Sequence, residues 1–278
     1  MNGTGVQQIE IDRAAAARLM TRLGDIVAAA SAAVLAIDRA TVTTTGKADG
    51  SPLTAADLAA DRIIAEGLAQ LAPEVPVISE ERIGERAGET LGSFFIVDPI
   101  DGTKEFLGGH DDYTINVALI TAGRPLLGIV AAPALGLVWR GLVGGGADRL
   151  ALSPDGALRA DATPIHTRQR PKEQWIAGVS RSHCDSRTDA FIAAMPGVRR
   201  QVIGSALKFC RLAEGAIDIY PRLAPVSEWD IAAGHAVVEA AGGQVTDAKG
   251  RPLRFRGDPA AIAVPDFIAW ADPAMVPH

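Results

Sequence analysis

The chain is short of cysteine, of repetition and of positive charge. Its 278 residues contain two cysteines, Cys184 and Cys210. Neither sits in a CxxC pair and two cannot make a disulfide framework, so a reducing compartment is expected. The longest uncharged apolar run, Pro125 to Trp139, is broken by two prolines and two glycines. It falls short of the roughly 20 residues a membrane span needs, so no integral membrane segment is expected. Met1 to Glu10 has no basic segment ahead of an apolar one. No export signal is therefore expected, and the Asn2-Gly3-Thr4 sequon carries no meaning. The expected location is cytoplasmic, with peripheral contact to the inner membrane surface left open. Lys and Arg total 27 against 33 Asp and Glu, a formal net charge of −6. That balance argues against broad nucleic-acid binding, which draws its affinity from many cations against phosphates. There is no glycine period, internal repeat or low-complexity tract, and the 48% hydrophobic content excludes disorder.

What is present reads as a layered α/β (α+β) protein. The length allows one large domain or two lobes packed together. Residues 9–39 are Ala-rich with Leu, Ile and Val at helical spacing, predicting one long helix. Thr54 is placed to cap a second helix running to about Ala72, with Asp57 three residues on. Residues 75–79, 93–98, 113–121, 126–132 and 137–143 read as strands. Gly144-Gly145-Gly146 and the loosely patterned stretch to about Pro171 make the best internal seam, dividing residues 1–145 from 146–278. Beyond it, residues 175–180 and 198–203 are strand-like, and 185–195, 205–215 and 230–241 are helical, the last stopped by Gly242-Gly243. Alternating helices and strands over both halves point to stacked layers.

The densest chemical signal is Val97-Asp98-Pro99-Ile100-Asp101-Gly102-Thr103-Lys104-Glu105-Phe106. An apolar strand delivers Asp98, Pro99 is expected to stop the ladder, and Asp101 follows three residues later. Gly102 permits a tight backbone and Thr103 can cap a short helix. Two carboxylates and the Ile100 carbonyl can converge on a hard cation, while the Gly102 and Thr103 amides face a phosphate. As isolated features, Asp98 and Asp101 could equally be turn and cap residues. Three further acidic sites, each at an element end, change that balance: Ser79-Glu80-Glu81, Asp57 in a first helical turn, and Ser227-Glu228-Trp229-Asp230. A bland explanation of all four together is poor.

These segments resemble the inositol monophosphatase superfamily, in Ser79-Glu80-Glu81, Asp98-Pro99-Ile100-Asp101-Gly102-Thr103, and Trp229-Asp230-Ile231-Ala232-Ala233-Gly234 followed by Ala241-Gly242-Gly243. Three finer matches are similar to its 3'(2'),5'-bisphosphate nucleotidase branch. They are Lys47-x-Asp49-x-Ser51-Pro52-x-Thr54-x-x-Asp57, Lys104-Glu105-Phe106, and Gly204-Ser205-Ala206-Leu207-Lys208-Phe209-Cys210. The resemblance spans about Lys47 to Gly243; residues after Gly250 carry little of it.

The resemblance implies a five-layer αβαβα sandwich of the inositol monophosphatase / fructose-1,6-bisphosphatase type. It implies a Mg²⁺-dependent, lithium-sensitive phosphatase, monomeric or homodimeric. The substrate would be a small phosphorylated nucleotide: adenosine 3',5'-bisphosphate, losing its 3'-phosphate, and its sulfated analogue, in sulfur assimilation. Glu80, Asp98 and the Ile100 carbonyl would surround the first Mg²⁺, and Asp98, Asp101 and Asp230 the second. A third, weaker ion would share Glu80 or Asp57. Asp57 and Thr103 would orient and deprotonate the attacking water. Glu80, Gly102, Thr103 and Asp230 would border the scissile phosphate. His183, Ser205, Lys208 and Arg222 would meet the adenosine and the second phosphate. Glu81 would stand behind the metal ligands. Ala206 replaces a serine usual in the family, removing one hydroxyl. The N-terminal lobe would then carry the metal site, and the C-terminal lobe Asp230 and the nucleotide contacts.

Inositol-1-monophosphatase or sugar bisphosphatase activity is the rival within the same fold. Haloacid dehalogenase phosphatases also carry an Asp-Gly-Thr run, but with their two aspartates two apart rather than three. A scaffold that has lost its chemistry would be expected to lack a ligand, and none is missing. If Asp57, Glu80, Asp98, Asp101 and Asp230 serve cations, the acidic excess belongs largely to the site, and the rest of the chain is near neutral.

Overall fold

Apolar side chains collect in three layers, separated by two sheets. The computed structural model describes residues 9–46, 52–85, 92–172, 174–181, 185–195 and 197–277. Arg13–Leu35 (α1) is the predicted long helix, a few residues shorter at each end and capped by Asp12, which accepts from the Ala15 amide at 2.7 Å. Thr44–Gly46 (β1) and Pro52–Thr54 (β2) form a small antiparallel ladder. Ala55–Leu71 (α2) starts from Thr54, and Asp57 closes the capping box that its spacing predicts.

Val77–Ser79 (β3), Ser93–Asp101 (β4), Thr114–Thr121 (β5), Arg124–Ala132 (β6), Leu137–Leu142 (β7), Gly146–Ala151 (β8) and Thr163–Ile165 (β9) make one seven-stranded sheet in sequential order. Only the β3–β4 pair is parallel. Thr103–Leu107 (α3) intervenes between β4 and β5. The stretch after Gly145 is therefore not a bare seam: β8 and β9 continue the sheet, so the ladder crosses that position. Their strand signal is weak because exposed and half-buried residues alternate irregularly along them.

The remaining elements are Ile176–Ser180 (β10), Ser186–Ala193 (α4), Arg199–Ile203 (β11), Leu207–Ala213 (α5), Ile219–Arg222 (β12), Val226–Ser227 (β13), Glu228–Ala240 (α6), Gln244–Thr246 (β14), Ala263–Val264 (β15) and Phe267–Trp270 (β16). The second sheet runs β11-β10-β12-β16-β14. β16 lies antiparallel between β12 and β14, so the C-terminal segment supplies an interior strand of that sheet.

The layers follow from alternation along the strands. Phe95, Val97, Ile115, Val117 and Ile129 point to a core shared with α1 and α2. Phe94, Ile96, Ala118, Ile120 and Val130 point to a second core around α5 and α6. Strands buried on both faces read as continuous apolar runs, which is why they were visible in the sequence. A third cluster joins Ala177, Ile219 and Ile268 of the second sheet to Ile192 of α4. The order is α1/α2, sheet, α5/α6, sheet, α4: the expected five layers.

The central helix lies unusually close to the first sheet. Gly128 and Gly141 face each other on β6 and β7. A Cβ at Gly128 would meet the Ala233 carbonyl oxygen at 2.2 Å, and one at Gly141 the Val237 Cα at 2.6 Å. Close packing fixes the height of α6, and with it Asp230 in its first turn. Among the described residues no helix is long and apolar enough to cross a membrane.

Candidate active site

Five acidic residues from three parts of the chain, Glu80, Asp98, Asp101, Glu105 and Asp230, line one cleft of about 470 Å³. The apolar half of β4 delivers Asp98, buried opposite Asn116 on β5. Pro99 does not stop the ladder as expected; β4 continues to Asp101, which lies opposite Thr114. Three positions on β4 therefore match two on β5, a bulge. In a regular strand residues three apart point to opposite faces. The extra residue brings Asp101 back to the face of Asp98, and Asp101-Gly102 then turns into α3.

Thr103 is not the cap of α3: Gly102 occupies that position at φ +93°, where glycine is favoured. Thr103 instead donates its hydroxyl to Asp57 Oδ1 at 3.2 Å and, alternatively, to the Ile100 carbonyl at 3.3 Å. Asp57 is fully buried behind the cleft wall, and its Oδ2 accepts from the Thr54 amide (2.8 Å) and hydroxyl (2.6 Å). The structure thus brings Asp57 and Thr103 into contact.

Glu80 follows β3 and lines the cleft. Asp61, which the sequence reading missed, anchors this segment: it accepts from the Ser79 hydroxyl at 2.5 Å and from Arg82 Nε at 2.9 Å. Its only signal was an acid one helical turn beyond Asp57. Glu81 is half-buried and outside the cleft lining. Asp230 enters from the start of α6, its Oδ2 accepting from the Ser227 amide at 2.8 Å.

The electrostatics are those of crowded carboxylates. Burial, then the charges of Glu80, Asp101 and Asp230, push Asp98 well above the usual carboxylate range. Burial raises Asp101 to about 6, against the opposing pull of Lys208 and the Ala206 amide. Burial and Asp101 raise Asp230 to about 8. Asp98 Oδ1 is buried with no hydrogen-bond partner among the described residues. Among those residues no group of three or more acidic, histidine or cysteine side chains is drawn together closely enough to hold a metal ion as they stand. What lines the open cleft is a set of hard oxygen donors, one of them orphaned, whose mutual repulsion a divalent cation would relieve.

Cationic side chains line the same cleft. Lys208 lines the cleft but is itself buried, its Nζ donating to the carbonyls of Ser205 (2.7 Å) and Ile203 (3.2 Å) and lying 5.0 Å from the Tyr220 ring centre. Burial brings it down to about 8. Arg222 donates from Nη1 to Ser180 Oγ at 3.2 Å, and its Nε is buried without a partner among the described residues. Ser205, at φ +49°, donates its hydroxyl to the Asp101 carbonyl at 2.8 Å. The Ala206 amide donates to Asp101 Oδ2 at 2.6 Å, so the position lacking the usual serine still holds an aspartate through its backbone. Arg181, also missed, lines the cleft and donates from Nε and Nη2 to Asp112 Oδ2 at 3.1 and 2.8 Å. His183 lies outside the described residues, as do Lys47, Asp49 and Ser51.

The model of the inositol monophosphatase family matches residues 9–272. The 3'(2'),5'-bisphosphate nucleotidase CysQ of Escherichia coli (strain K12) is 41% identical over 211 residues, covering 75% of this chain and 81% of that protein. The crystal structure of CysQ from Bacteroides thetaiotaomicron, a bacterial member of the inositol monophosphatase family, superposes with a TM-score of 0.71 at 31% identity, over 90% of this chain and 97% of that one. An IMPase from Thermotoga maritima gives a TM-score of 0.72 at 26% identity, over 92% and 93% of the two chains. Five layers, a bulged Asp-Gly-Thr turn and these likenesses agree: the chain is a phosphatase that belongs to the inositol monophosphatase family, in its CysQ branch.

Proposed function

We propose that the protein is a Mg²⁺-dependent 3'-nucleotidase that converts adenosine 3',5'-bisphosphate to AMP and phosphate, and acts likewise on the sulfated analogue. The observation that carries this reading is that one cleft holds both kinds of charge. Glu80, Asp98, Asp101, Glu105 and Asp230 line it together with Lys104, Arg181, Lys208 and Arg222. A nucleotide with two phosphates uses both sets; a compact inositol phosphate needs only the acidic one. The bisphosphate nucleotidase names of the curated relatives support the same choice.

Two or three cations would be held by Glu80, Asp98, the Ile100 carbonyl, Asp101 and Asp230, with Asp57 or Glu80 sharing the weakest. When bound, such ions neutralise phosphoryl charge and acidify a water molecule. The Thr103 hydroxyl, donating to Asp57 Oδ1, keeps its lone pairs for a water proton; as that proton arrives, its own passes to Asp57. Asp57 keeps its orientation because Thr54 holds Oδ2. The amides of Gly102 and Thr103 receive phosphoryl oxygens. Arg222, Ser205 and Lys208 orient the non-scissile phosphate and ribose. Arg222 is the strongest of these, since a guanidinium grips phosphate through paired N–H groups.

Phosphate release from a substrate panel tests the reading. Adenosine 3',5'-bisphosphate should show a much higher kcat/KM than inositol 1-phosphate or fructose 1,6-bisphosphate, requiring Mg²⁺ and falling with Li⁺. A reversed ranking would overturn it.

A further inference from the structure

Two buried polar residues on β5 remain without a role in that reading. Asn116 and Thr114 are 1% and 0% exposed, on a strand otherwise apolar from Ile115 to Ile120. Neither the carboxamide oxygen nor nitrogen of Asn116 has a hydrogen-bond partner among the described residues, nor does the Thr114 hydroxyl. A buried polar group left unpaired costs about 1–3 kcal/mol, and such groups are rare in folded proteins. Three such atoms two residues apart on one strand are therefore expected to serve a purpose.

Their positions indicate which. Asn116 is the cross-strand partner of Asp98, and Thr114 of Asp101. Directly opposed residues of an antiparallel pair share a face, with Cβ atoms about 5 Å apart. Asp98 Oδ1 is itself buried and unpartnered among the described residues. The bulge in β4 is what sets both aspartates, three apart, against two residues that are two apart. Orphaned donors thus stand across the ladder from the two carboxylates, on the same face of the sheet and not hydrogen-bonded to them. Carboxylates that ligate cations are themselves usually held by a second ring of hydrogen bonds.

We infer that Asn116 and Thr114 are positioning residues for the cation site: unbonded among the described residues of the cation-free protein, their N–H and O–H groups take up the carboxylates of Asp98 and Asp101, which they face across the β4–β5 ladder, once a divalent ion is bound. The inference rests on the proposed cation binding and adds to it the residues that govern affinity. It does not require either residue to touch substrate or cation.

The test is Mn²⁺ affinity, read by electron paramagnetic resonance of the free ion, with the cation-free melting temperature measured alongside. Asn116→Leu and Thr114→Val remove the donors while nearly keeping shape. Each should weaken Mn²⁺ binding roughly ten- to hundredfold. Each should leave the cation-free protein as stable as the wild type or more so, since an unpaired polar group is replaced by an apolar one. A merely structural role would give the reverse pattern: lower melting temperature and unchanged Mn²⁺ affinity. Thr114→Val, the smaller change, decides the matter if Asn116→Leu does not fold. Wild-type binding with variants within twofold of it overturns this inference alone. A wild type that binds no Mn²⁺ overturns the cation reading and this inference together.

Discussion

Gly102 and Ser205 interlock. The Ser205 hydroxyl donates to the Asp101 carbonyl at 2.8 Å, and a Cβ added at Gly102 would lie 2.2 Å from that same Ser205 Oγ. The strand-end turn of one sheet and the turn before α5 are thereby fitted to each other, and both backbones sit at positive φ. Gly102→Ala should cost about 1–2 kcal/mol from the left-handed backbone alone. It should cost more in activity, because Ser205 must give up its bond to the Asp101 carbonyl. A thermal melt and kcat/KM measured on the same preparation check this; wild-type turnover would show that the turn tolerates displacement.

The acidic residues of the cleft give a sharper test. Asp101→Asn keeps the shape of the side chain and an oxygen able to accept from the Ala206 amide, but removes a charge from a crowded group. The cation-free variant should fold and melt no lower than the wild type. Its Mg²⁺-dependent turnover should fall at least roughly a hundredfold, the upper end of the loss seen for residues behind a metal. Substantial residual activity at saturating Mg²⁺ would remove Asp101 from the ligand set.

Much of this site was legible in the sequence because its residues sit where local rules are strict. Thr54 and Asp57 obey the capping box, and the apolar residues ahead of Asp98 leave little but a buried strand. What was not legible depended on pairing between distant segments. Pro99 reads as a strand stop, yet a bulge accommodates it, and the bulge is defined only against Asn116 and Thr114. Arg181 gains meaning from Asp112, 69 residues away. Phe267–Trp270 looks like a terminal tail until β12 and β14 flank it. Nor does the sequence show that the Lys208 ammonium is tied to two backbone carbonyls.

Asp112 should act as a latch between segments. Its Oδ2 accepts from Arg181 and from the Gly204 amide at 2.7 Å. These hydrogen bonds and the Arg181 charge outweigh burial and hold its carboxyl below the usual range. A carboxyl lowered in the folded state stabilises above its unfolded pKa of about 3.9 and loses that contribution as pH falls through the folded value. Asp112→Ala should therefore be destabilised by about 1–3 kcal/mol at neutral pH, with the gap to wild type narrowing below about pH 4. Denaturant melts at several pH values would show it; a gap constant with pH would contradict the charge-based latch.

The raised carboxylates make the opposite prediction for the protein without cations. Asp101 at about 6 and Asp230 at about 8 lie above their unfolded values. Their contribution is full below the unfolded pKa and is lost as pH rises through the folded values. The cation-free melting temperature should therefore decline between about pH 4 and pH 8, apart from other groups. Added Mg²⁺ should raise it more at pH 8.5 than at pH 6, because ionised carboxylates bind the ion and protonated ones do not. A Mg²⁺ shift that shrinks as pH rises would count against these acids as the site.

On the proposed reading, Arg222 should separate nucleotide bisphosphates from simpler monoesters. Its guanidinium lines the cleft, with Nη1 on Ser180 Oγ and a buried Nε that has no partner among the described residues. A charge-assisted hydrogen bond contributes about 1.5–3 kcal/mol, on the order of 10- to 150-fold in binding. Arg222→Met keeps much of the stem and removes the charge. It should lower kcat/KM for adenosine 3',5'-bisphosphate by about that factor, mainly through KM. Adenosine 3'-monophosphate, which has no second phosphate to lose, should be hydrolysed nearly as before. The ratio of the two specificity constants is thus the quantity to measure: equal losses on both substrates would assign Arg222 to the architecture of the cleft, and loss confined to the bisphosphate would assign it to recognition of the second phosphate.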